Sequence, residues 1–317
     1  MKAIRYRAYG GPEVLEVVDV ERPQPAADQV LIQVAASSVN PVDWKMASGH
    51  IRLLFPAKFP QVPGFDVAGR VVEVGPGVTK FAVGDRVFAR LNKGIGAASA
   101  EYTVGSLADV AAIPEGMDDG EAAGLPLAGM TALQALRDYC GMSMSGATQR
   151  VLVVGASGGV GHLAVQIARA AGAYVVGVCS AKNAPLVLGL GAQEVIDYAK
   201  PDAYAGQAPF DIVFDCVGGS PKPWLARLTP NGQLASCAPG AGHIFRSLFN
   251  GLARRKVYAV RLKANAADLE FLGKMVADGN LRVIVDSRFP LEQLKEAWQR
   301  SIAGRSIGKI VVDVATP

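Results

Sequence analysis

A run typical of a buried strand, RVLVVGA (150–156), passes through a glycine-rich turn into the helix-like segment HLAVQIARAAG (162–172) and out again into a second apolar strand, YVVGVCS (174–180). No other stretch restricts the fold so far. A strand, a helix and a strand in that order cannot close as a hairpin, so the two strands run parallel with the helix as their crossover. The alternation continues through LVLGLG, EVIDY (194–198), FDIVFDCVG (210–218), GQLASCAP (232–239) and KVYAVRL (256–262), which predicts an α/β, doubly wound parallel sheet. Half of the 317 residues are apolar, enough to bury a core of that size.

The chain before about residue 120 follows another rhythm. Val30, Ile32 and Val34 alternate, VAGRVVEVG is a strand run, and GPGV and VGDRV punctuate it, so this part reads as an all-β module. Beyond about 266 come a helix (AADLEFLGKMVADG), a strand (RVIVDSRFP), a helix (LEQLKEAWQRSIAG) and a strand (GKIVVDV). Pattern alone leaves open whether these extend the parallel sheet or return to the first module.

The turn between the first parallel strand and its helix is GASGGVG, with Gly155, Gly158 and Gly161 in a G-x-x-G-x-x-G spacing and Ser157, Gly159 and Val160 between them. Glycine there permits a tight turn, brings backbone N–H groups close to a pyrophosphate and lets the helix pack on the strand. The ligand class this predicts is a dinucleotide. An NAD site has an acidic residue about 20 positions downstream for the ribose 2′-hydroxyl, but no Asp or Glu occurs between Gly161 and Glu194. Ser180, Lys182 and Asn183 stand where that acid would be, and Tyr198 follows the next strand; such side chains suit a 2′-phosphate dianion, so the expected cofactor is NADPH.

Composition and spacing work against other classes. Lys and Arg exceed Asp and Glu by only four, without a basic tail, so no nucleic-acid partner is expected. The N-terminus lacks the apolar run of a secretory leader and no stretch is long enough for a membrane span, which predicts a cytoplasmic protein. The cysteines Cys140, Cys179, Cys216 and Cys237 have no CxxC spacing, and the last three sit in or beside strand-like runs, so they read as reduced core thiols. His50, His162 and His243 pair with no cysteine at ligand spacing; no metal is expected, His162 reads as a surface or first-turn side chain and His243 as a loop residue. One rival enzyme class remains: Gly155, Ser157 and Gly159 also spell G-x-S-x-G, with Asp215 and His243 following in the order of an α/β-hydrolase triad. It fits less well, because His243 precedes further strands instead of following the last.

Over nearly its whole length the chain resembles the medium-chain dehydrogenase/reductase superfamily, in its zinc-independent quinone oxidoreductase branch. The residues that carry this are SVNPVDWK (38–45), PGFDVAGRVVEVG (63–75), GDRV (84–87), LPLAGMTALQAL (125–136), the GASGGVG turn and LGAQEVIDY (190–198). The C-terminal run VIVDSRFPLEQLKEAWQRSIAGRSIGKIVV is similar to that of plant chloroplast-envelope quinone oxidoreductase homologues and enone reductases. The resemblance implies a GroES-like, β-rich catalytic domain (1–123), an inserted Rossmann NADPH-binding domain (124–264) and a return to the catalytic domain (265–317). In zinc-dependent relatives a cysteine stands at the position of Asn40 and a histidine at that of Phe65, and residues 88–104 lack the four cysteines of a structural zinc lobe.

The same resemblance implies a reaction: hydride transfer without a metal from NADPH to the C=C bond of an enone or alkenal, or to a quinone. It places Asn40 and Lys45 by the nicotinamide, with Lys45 as the donor to the oxyanion and as a proton source. It sets Thr131 against the nicotinamide, and Asp215, Cys216, Val217 and Gly218 with Cys237 and Ala238 along the ribose and ring. A homodimer through KVYAVRL is also implied; apart from the resemblance, His50, Ile51, Leu53, Leu54 and Phe55 form an apolar stretch just after NPVDWK that reads equally as a border of the substrate pocket or as core. Some members of the superfamily hold the cofactor only as scaffold or partner proteins; retention of the glycine turn and of Lys45 favours the enzyme.

Overall fold

The computed structural model describes residues 1–50, 52, 56, 58–91 and 97–314. Of the nominated substrate-side residues, Ile51, Leu53, Leu54 and Phe55 lie outside that set, while His50 is exposed with its Nδ1 against the Ser48 hydroxyl. The chain begins with β1 (Lys2–Arg5), β2 (Glu16–Asp19), β3 (Gln29–Val39), α1 (Pro41–Ala47), β4 (Asp66–Val74), β5 (Arg86–Arg90), β6 (Tyr102–Ser106), β7 (Val110–Ala112), α2 (Asp119–Gly124) and α3 (Pro126–Gln134). Its middle holds β8 (Arg150–Val154), α4 (Gly161–Ala171), β9 (Tyr174–Cys179), α5 (Ala184–Gly189), β10 (Glu194–Asp197), β11 (Phe210–Asp215), α6 (Lys222–Leu225), β12 (Leu228–Ser236), α7 (Ala241–Ser247) and β13 (Lys256–Ala259). The last part adds α8 (Ala266–Ala277), β14 (Val285–Pro290), α9 (Leu294–Ile302) and β15 (Lys309–Asp313). Two compact units result, one of residues 1–127 with 264–317 and one of residues 128–263.

In the first unit a seven-stranded sheet runs β14-β15-β3-β4-β5-β7, with β6 also on β3, while β1 and β2 pair separately. The long β3 takes this central place because its alternating Val30, Ile32 and Val34 are fully buried, packing with Val67, Val71 and Val87 of the neighbouring strands. The chain's end closes the same sheet: β15 lies antiparallel to β3, Ile310 opposite Val39, and β14 lies parallel to β15. A second core forms there around Trp298 of α9, 1% exposed, with Ile4, Tyr6, Leu294 and Ile310. The first module is not all β. NPVDWK lies on a helix, α1, because Asn40 is its extended N-cap, Pro41 fills the first helical position without needing an N–H partner, and the Asp43 carboxylate accepts the Asn40 N–H at 2.7 Å.

The second unit is a six-stranded parallel sheet of order β10-β9-β8-β11-β12-β13. Val151 to Val154 are at most 5% exposed, the continuous apolar run of a strand covered on both faces. Its crossover helix α4 buries Leu163, Ala164, Val165 and Ile167 and stops at Gly172, whose left-handed φ of 103° frees the chain to turn into β9. The strand order reverses between β8 and β11, the point at which sheets of this kind bind ligands beyond their strand ends.

Candidate functional site

The parallel register decides which side chains can meet. Val154 lies level with Val178 and with Asp215, and Asp215 with Ser236, while Asp197 lies level with Cys179. The residues that follow these strands therefore emerge along one sheet edge: Gly155 to Gly161, Ser180 to Asn183, Tyr198, Cys216 to Gly218, and Cys237 with Ala238. Thr131, buried on α3, is the one nominated cofactor residue that the strand register does not carry there.

At the glycine turn, the N–H groups of Gly155 and Ala156 both bond the Val178 carbonyl, at 3.0 and 2.9 Å, and Gly158 bonds back to Gly155. Gly155 sits at φ +76°, and a Cβ on Gly161 would lie 2.1 Å from the Gly155 carbonyl oxygen, so neither position admits a side chain. Among the described residues no protein acceptor takes the backbone N–H of Ser157, Gly159 or Val160. Uncommitted N–H groups at the mouth of an eleven-residue helix are suited to a phosphate. Asn183 donates its amide to the Ser157 hydroxyl at 2.9 Å, which joins this turn to the one carrying Ser180 and the exposed Lys182. Tyr198 is 63% exposed just past β10.

Across the reversal point, the buried Asp215 shapes the next turn by accepting the N–H groups of Val217 and Gly218, each at 2.9 Å, and the Ser236 hydroxyl at 3.2 Å. His243 is not a loop residue: it lies on α7, fully buried, with Nε2 3.7 Å from Asp215 Oδ2 and neither ring nitrogen hydrogen-bonded. Burial holds its pKa below the ordinary histidine value against the pull of Asp215. His162 is likewise buried, its Nδ1 2.9 Å from the Gly158 carbonyl, because the first turn of α4 faces inward. The hydrolase reading loses its geometry, since the Ser157 hydroxyl is engaged by Asn183 and not by His243. The thiols also differ from expectation. Cys140 and Cys179 are buried, but Cys216 and Cys237 are half-exposed because they stand one residue past the strand ends. The Cys216 thiol is nonetheless pushed well above its usual value, by desolvation first and by its hydrogen bond with Cys237 second.

The first unit's polar cluster is built on Asn40, Asp66 and Lys309. Asn40 donates from Nδ2 to Asp66 at 2.8 Å and accepts the Lys309 ammonium on Oδ1 at 2.6 Å. These two charged neighbours fix which way the amide points. Asp66, fully buried, also accepts the Ser38 hydroxyl and the Leu127 N–H, each at 2.9 Å, and lies 3.7 Å from Lys309. Lys309 is 3% exposed; burial lowers its pKa, while Asp66 and Asp43 oppose that shift. Burial above all lifts the Asp43 carboxyl to about 7, against the Asn40 N–H that it accepts, and leaves its Oδ1 without a partner. Lys45 is half-exposed in the last turn of α1, with its ammonium 5.4 Å from the Trp44 ring centre.

Asp66 and Lys309 escape sequence reading. The available signal is an acid within the apolar run PGFDVAG and a lysine opening the apolar strand KIVV. Their presence bears on metal chemistry. Asn40 has its oxygen committed to an ammonium, and Phe65 offers no donor atom, its ring lying under the Arg90 guanidinium at 4.6 Å. A divalent cation would meet the Lys309 charge, so these residues do not fit a zinc ion.

Residues 26–120 match the family model of the alcohol dehydrogenase GroES-like domain, and residues 190–312 that of the zinc-binding dehydrogenase. The chain is 39% identical to the chloroplast envelope quinone oxidoreductase homolog of Arabidopsis thaliana, over 99% of this chain and 98% of that protein. It is 35% identical to a trans-enoyl reductase of Aspergillus terreus, over 90% and 86%. A mycobacterial protein solved in complex with NADPH superposes with a TM-score of 0.83 at 29% identity, over 99% of this chain and the whole of that one. The expected cytoplasmic location is overturned by these likenesses: the Arabidopsis protein and two further plant relatives are chloroplast proteins, which points to a plastid.

Proposed function

The chain belongs to the medium-chain dehydrogenase/reductase family and is an NAD(P)H-dependent oxidoreductase of small molecules; on that premise we propose that it takes its hydride from NADPH and reduces the C=C bond of enones and alkenals, or quinones. The observation that carries the choice of cofactor is the acid-free stretch from Gly161 to Glu194, which sets Ser180, Lys182 and Asn183 where a ribose-binding acid would stand. The 2′-phosphate finds a cation in Lys182, hydroxyls in Ser180 and Tyr198, and an amide in Asn183, which the Ser157 contact orients. The pyrophosphate is held by the uncommitted N–H groups of Ser157, Gly159 and Val160, with Gly155, Gly158 and Gly161 leaving room for it. Val217 and Gly218, locked by Asp215, line the ribose and nicotinamide with Cys216, Cys237, Ala238 and Thr131. The bound cofactor supplies a hydride.

Lys45 donates to the carbonyl or quinone oxygen on which charge develops, a contribution of about 3 kcal/mol for such a donor. Asn40 has one amide hydrogen beyond the one given to Asp66, and that N–H is a second donor whose direction Lys309 and Asp66 fix. The names of two relatives, a quinone oxidoreductase homolog and a trans-enoyl reductase, support this range of acceptors. β13 ends the sheet, its Val257 N–H and carbonyl taken at 2.8 and 2.7 Å by the Asn250 side chain, so a homodimer through KVYAVRL requires that cap to yield; sedimentation equilibrium tests it.

The deciding experiment is NADPH oxidation with an enone, a 2-alkenal, a simple benzoquinone and a saturated ketone, each product identified by mass. Saturated carbonyls from the first two, or hydroquinone from the third, are expected. NADPH binding without turnover of any of these acceptors would sink the reading and leave a cofactor-holding scaffold protein. Lys45→Met should lower kcat about a hundredfold and spare NADPH affinity.

A further inference from the structure

The chain's four cysteines fall into two kinds. Cys140 and Cys179 are buried, and burial pushes their thiols up to about 12 and about 11. Cys216 and Cys237 are half-exposed and adjacent. Asp215 and Ser236 are level partners at the ends of the parallel strands β11 and β12, and their side chains meet on one face, the Ser236 hydroxyl donating to Asp215 at 3.2 Å. The next residue on each strand is a cysteine, and the pleat turns both to the opposite face. The ladder still holds at that level, with the Cys237 N–H on the Asp215 carbonyl and the Cys216 N–H on the Val154 carbonyl, each at 3.1 Å. Level residues of neighbouring strands lie about 4.8 Å apart, a separation that a disulfide spans. The two thiols are already in contact: desolvation first, and the hydrogen bond with Cys237 second, keep the proton on Cys216.

Two touching thiols sealed in a core need no function. This pair is open to solvent where its strands end, among the residues nominated for the cofactor. A methyl placed on Gly155 would lie 3.7 Å from the Cys216 Cβ, so the pair borders the glycine turn. Asp215 holds the next residues, Val217 and Gly218, by their N–H groups. A Cβ on Gly218 would fall 2.4 Å from the Ala238 carbonyl oxygen, so the turns that follow the two cysteines touch. We propose that Cys216 and Cys237 form a dithiol site that exchanges with small-molecule disulfides, and that the closed disulfide weakens NADPH binding. The site stands on the two strands; its effect on NADPH rests on the proposed cofactor reading. In the first step the Cys237 sulfur bonds one sulfur of the incoming disulfide, whose S–S bond breaks and whose other half leaves as a thiol with the Cys237 proton. In the second the Cys216 sulfur bonds the Cys237 sulfur, and the remaining half leaves as a thiol with the Cys216 proton. The protein loses two electrons and two protons, and the small disulfide gains them. A covalent bond draws the two sulfurs closer than hydrogen-bond contact. The turns carrying Val217, Gly218 and Ala238 move with them, away from the positions that Asp215 sets.

Incubation of the full chain with oxidised glutathione, followed by intact mass, peptide mapping and NADPH titration before and after dithiothreitol, tests this. Expected are the loss of two hydrogens, a peptide cross-linked through Cys216 and Cys237, NADPH binding weakened roughly tenfold, and full recovery on reduction. A cooperative melting transition kept by the oxidised chain separates this local closure from unfolding. Cys216→Ser should stop at the first step and retain one glutathione on Cys237. By reciprocity, saturating NADPH should shift the dithiol–disulfide equilibrium of the parent in a glutathione buffer about tenfold toward the dithiol. Any one of four results overturns the proposal: no cross-link, a parent that keeps its glutathione, a linkage through Cys140 or Cys179, or a cross-linked chain that binds NADPH as tightly as the reduced one. A reduced parent that fails to bind NADPH sinks the cofactor reading instead, and the mapped cross-link then decides the dithiol site by itself.

Discussion

In the first unit Asp66 and Lys309 are paired out of reach of water through Asn40, which keeps one amide hydrogen to spare, with hydrogen bonds of 2.6 and 2.8 Å and an ion pair at 3.7 Å. In the second, the strand ends leave the N–H groups of Ser157, Gly159 and Val160 without protein acceptors, and Lys182 stands exposed beside them. One cluster carries both signs of charge in its own fold; the other is completed only by a ligand that brings the negative charge. Stability should therefore respond to the first and affinity to the second. Substitutions that cross over, changing NADPH affinity from Asp66 or Lys309 or stability from the exposed Lys182, would break the contrast.

The largest effect is expected from Lys309→Met, which keeps the length of the side chain and removes its charge. Asp66 would be left as a buried carboxylate without its cation, a loss of about 3–5 kcal/mol in unfolding free energy by urea titration. Adding Asp66→Asn should return part of that loss, because the two charges are then absent together. A Lys309→Met chain as stable as the parent would mean that the pair has no net worth.

Asp43 sharpens the same point through pH. Its carboxyl is raised to about 7 from a usual 3.8, chiefly by burial, so the folded state holds a proton that the unfolded chain gives up. Stability is then unimpaired below pH 4, falls as pH rises from about 4 to 7, and is level above 7. Asp43→Asn keeps an acceptor for the Asn40 N–H and removes the titration. The variant should match the parent at pH 4 and exceed it by on the order of 2–4 kcal/mol at pH 8. A constant offset at every pH would show that Asp43 does not titrate in that window.

In the second cluster Gly161→Ala sets a methyl group 2.1 Å from the Gly155 carbonyl oxygen. The turn must open to relieve this, which displaces the N–H groups nominated for the pyrophosphate. NADPH affinity should fall roughly 30-fold to 100-fold, about 2–3 kcal/mol, in a fluorescence titration. Unchanged affinity would place the pyrophosphate elsewhere.

These two clusters also differ in how far the sequence reveals them. The glycine turn is legible because its requirements are local: a backbone that only glycine can follow, between a strand and a helix that announce themselves by period. The parallel register then brings distant turns to one edge without any side-chain signal. The Asn40 cluster depends on residues 26 and 269 positions away, joined only when β15 docks on β3. Burial of His162 and His243 was likewise hidden, since the inward side of a helical turn depends on what packs against it. The half-exposed Cys216 and Cys237 show the limit of the period argument, for an apolar run locates a strand but not the residue at which its cover ends.

Lys182 gives the smallest and most selective test. It is exposed, so water and salt weaken its attraction for a phosphate, and its loss should be worth about 1 kcal/mol. Lys182→Ala is expected to weaken NADPH binding about fivefold and to leave NADH binding unchanged, because only NADPH carries the 2′-phosphate. Raising ionic strength should shrink the difference between parent and variant for NADPH and do nothing for NADH. Equal weakening of both cofactors would instead tie Lys182 to the common part of the dinucleotide, and the acid-free stretch would lose its meaning as a sign of NADPH. An unchanged NADPH constant beside a loss for Asn183→Ala would shift the 2′-phosphate contact to the amide that Ser157 orients.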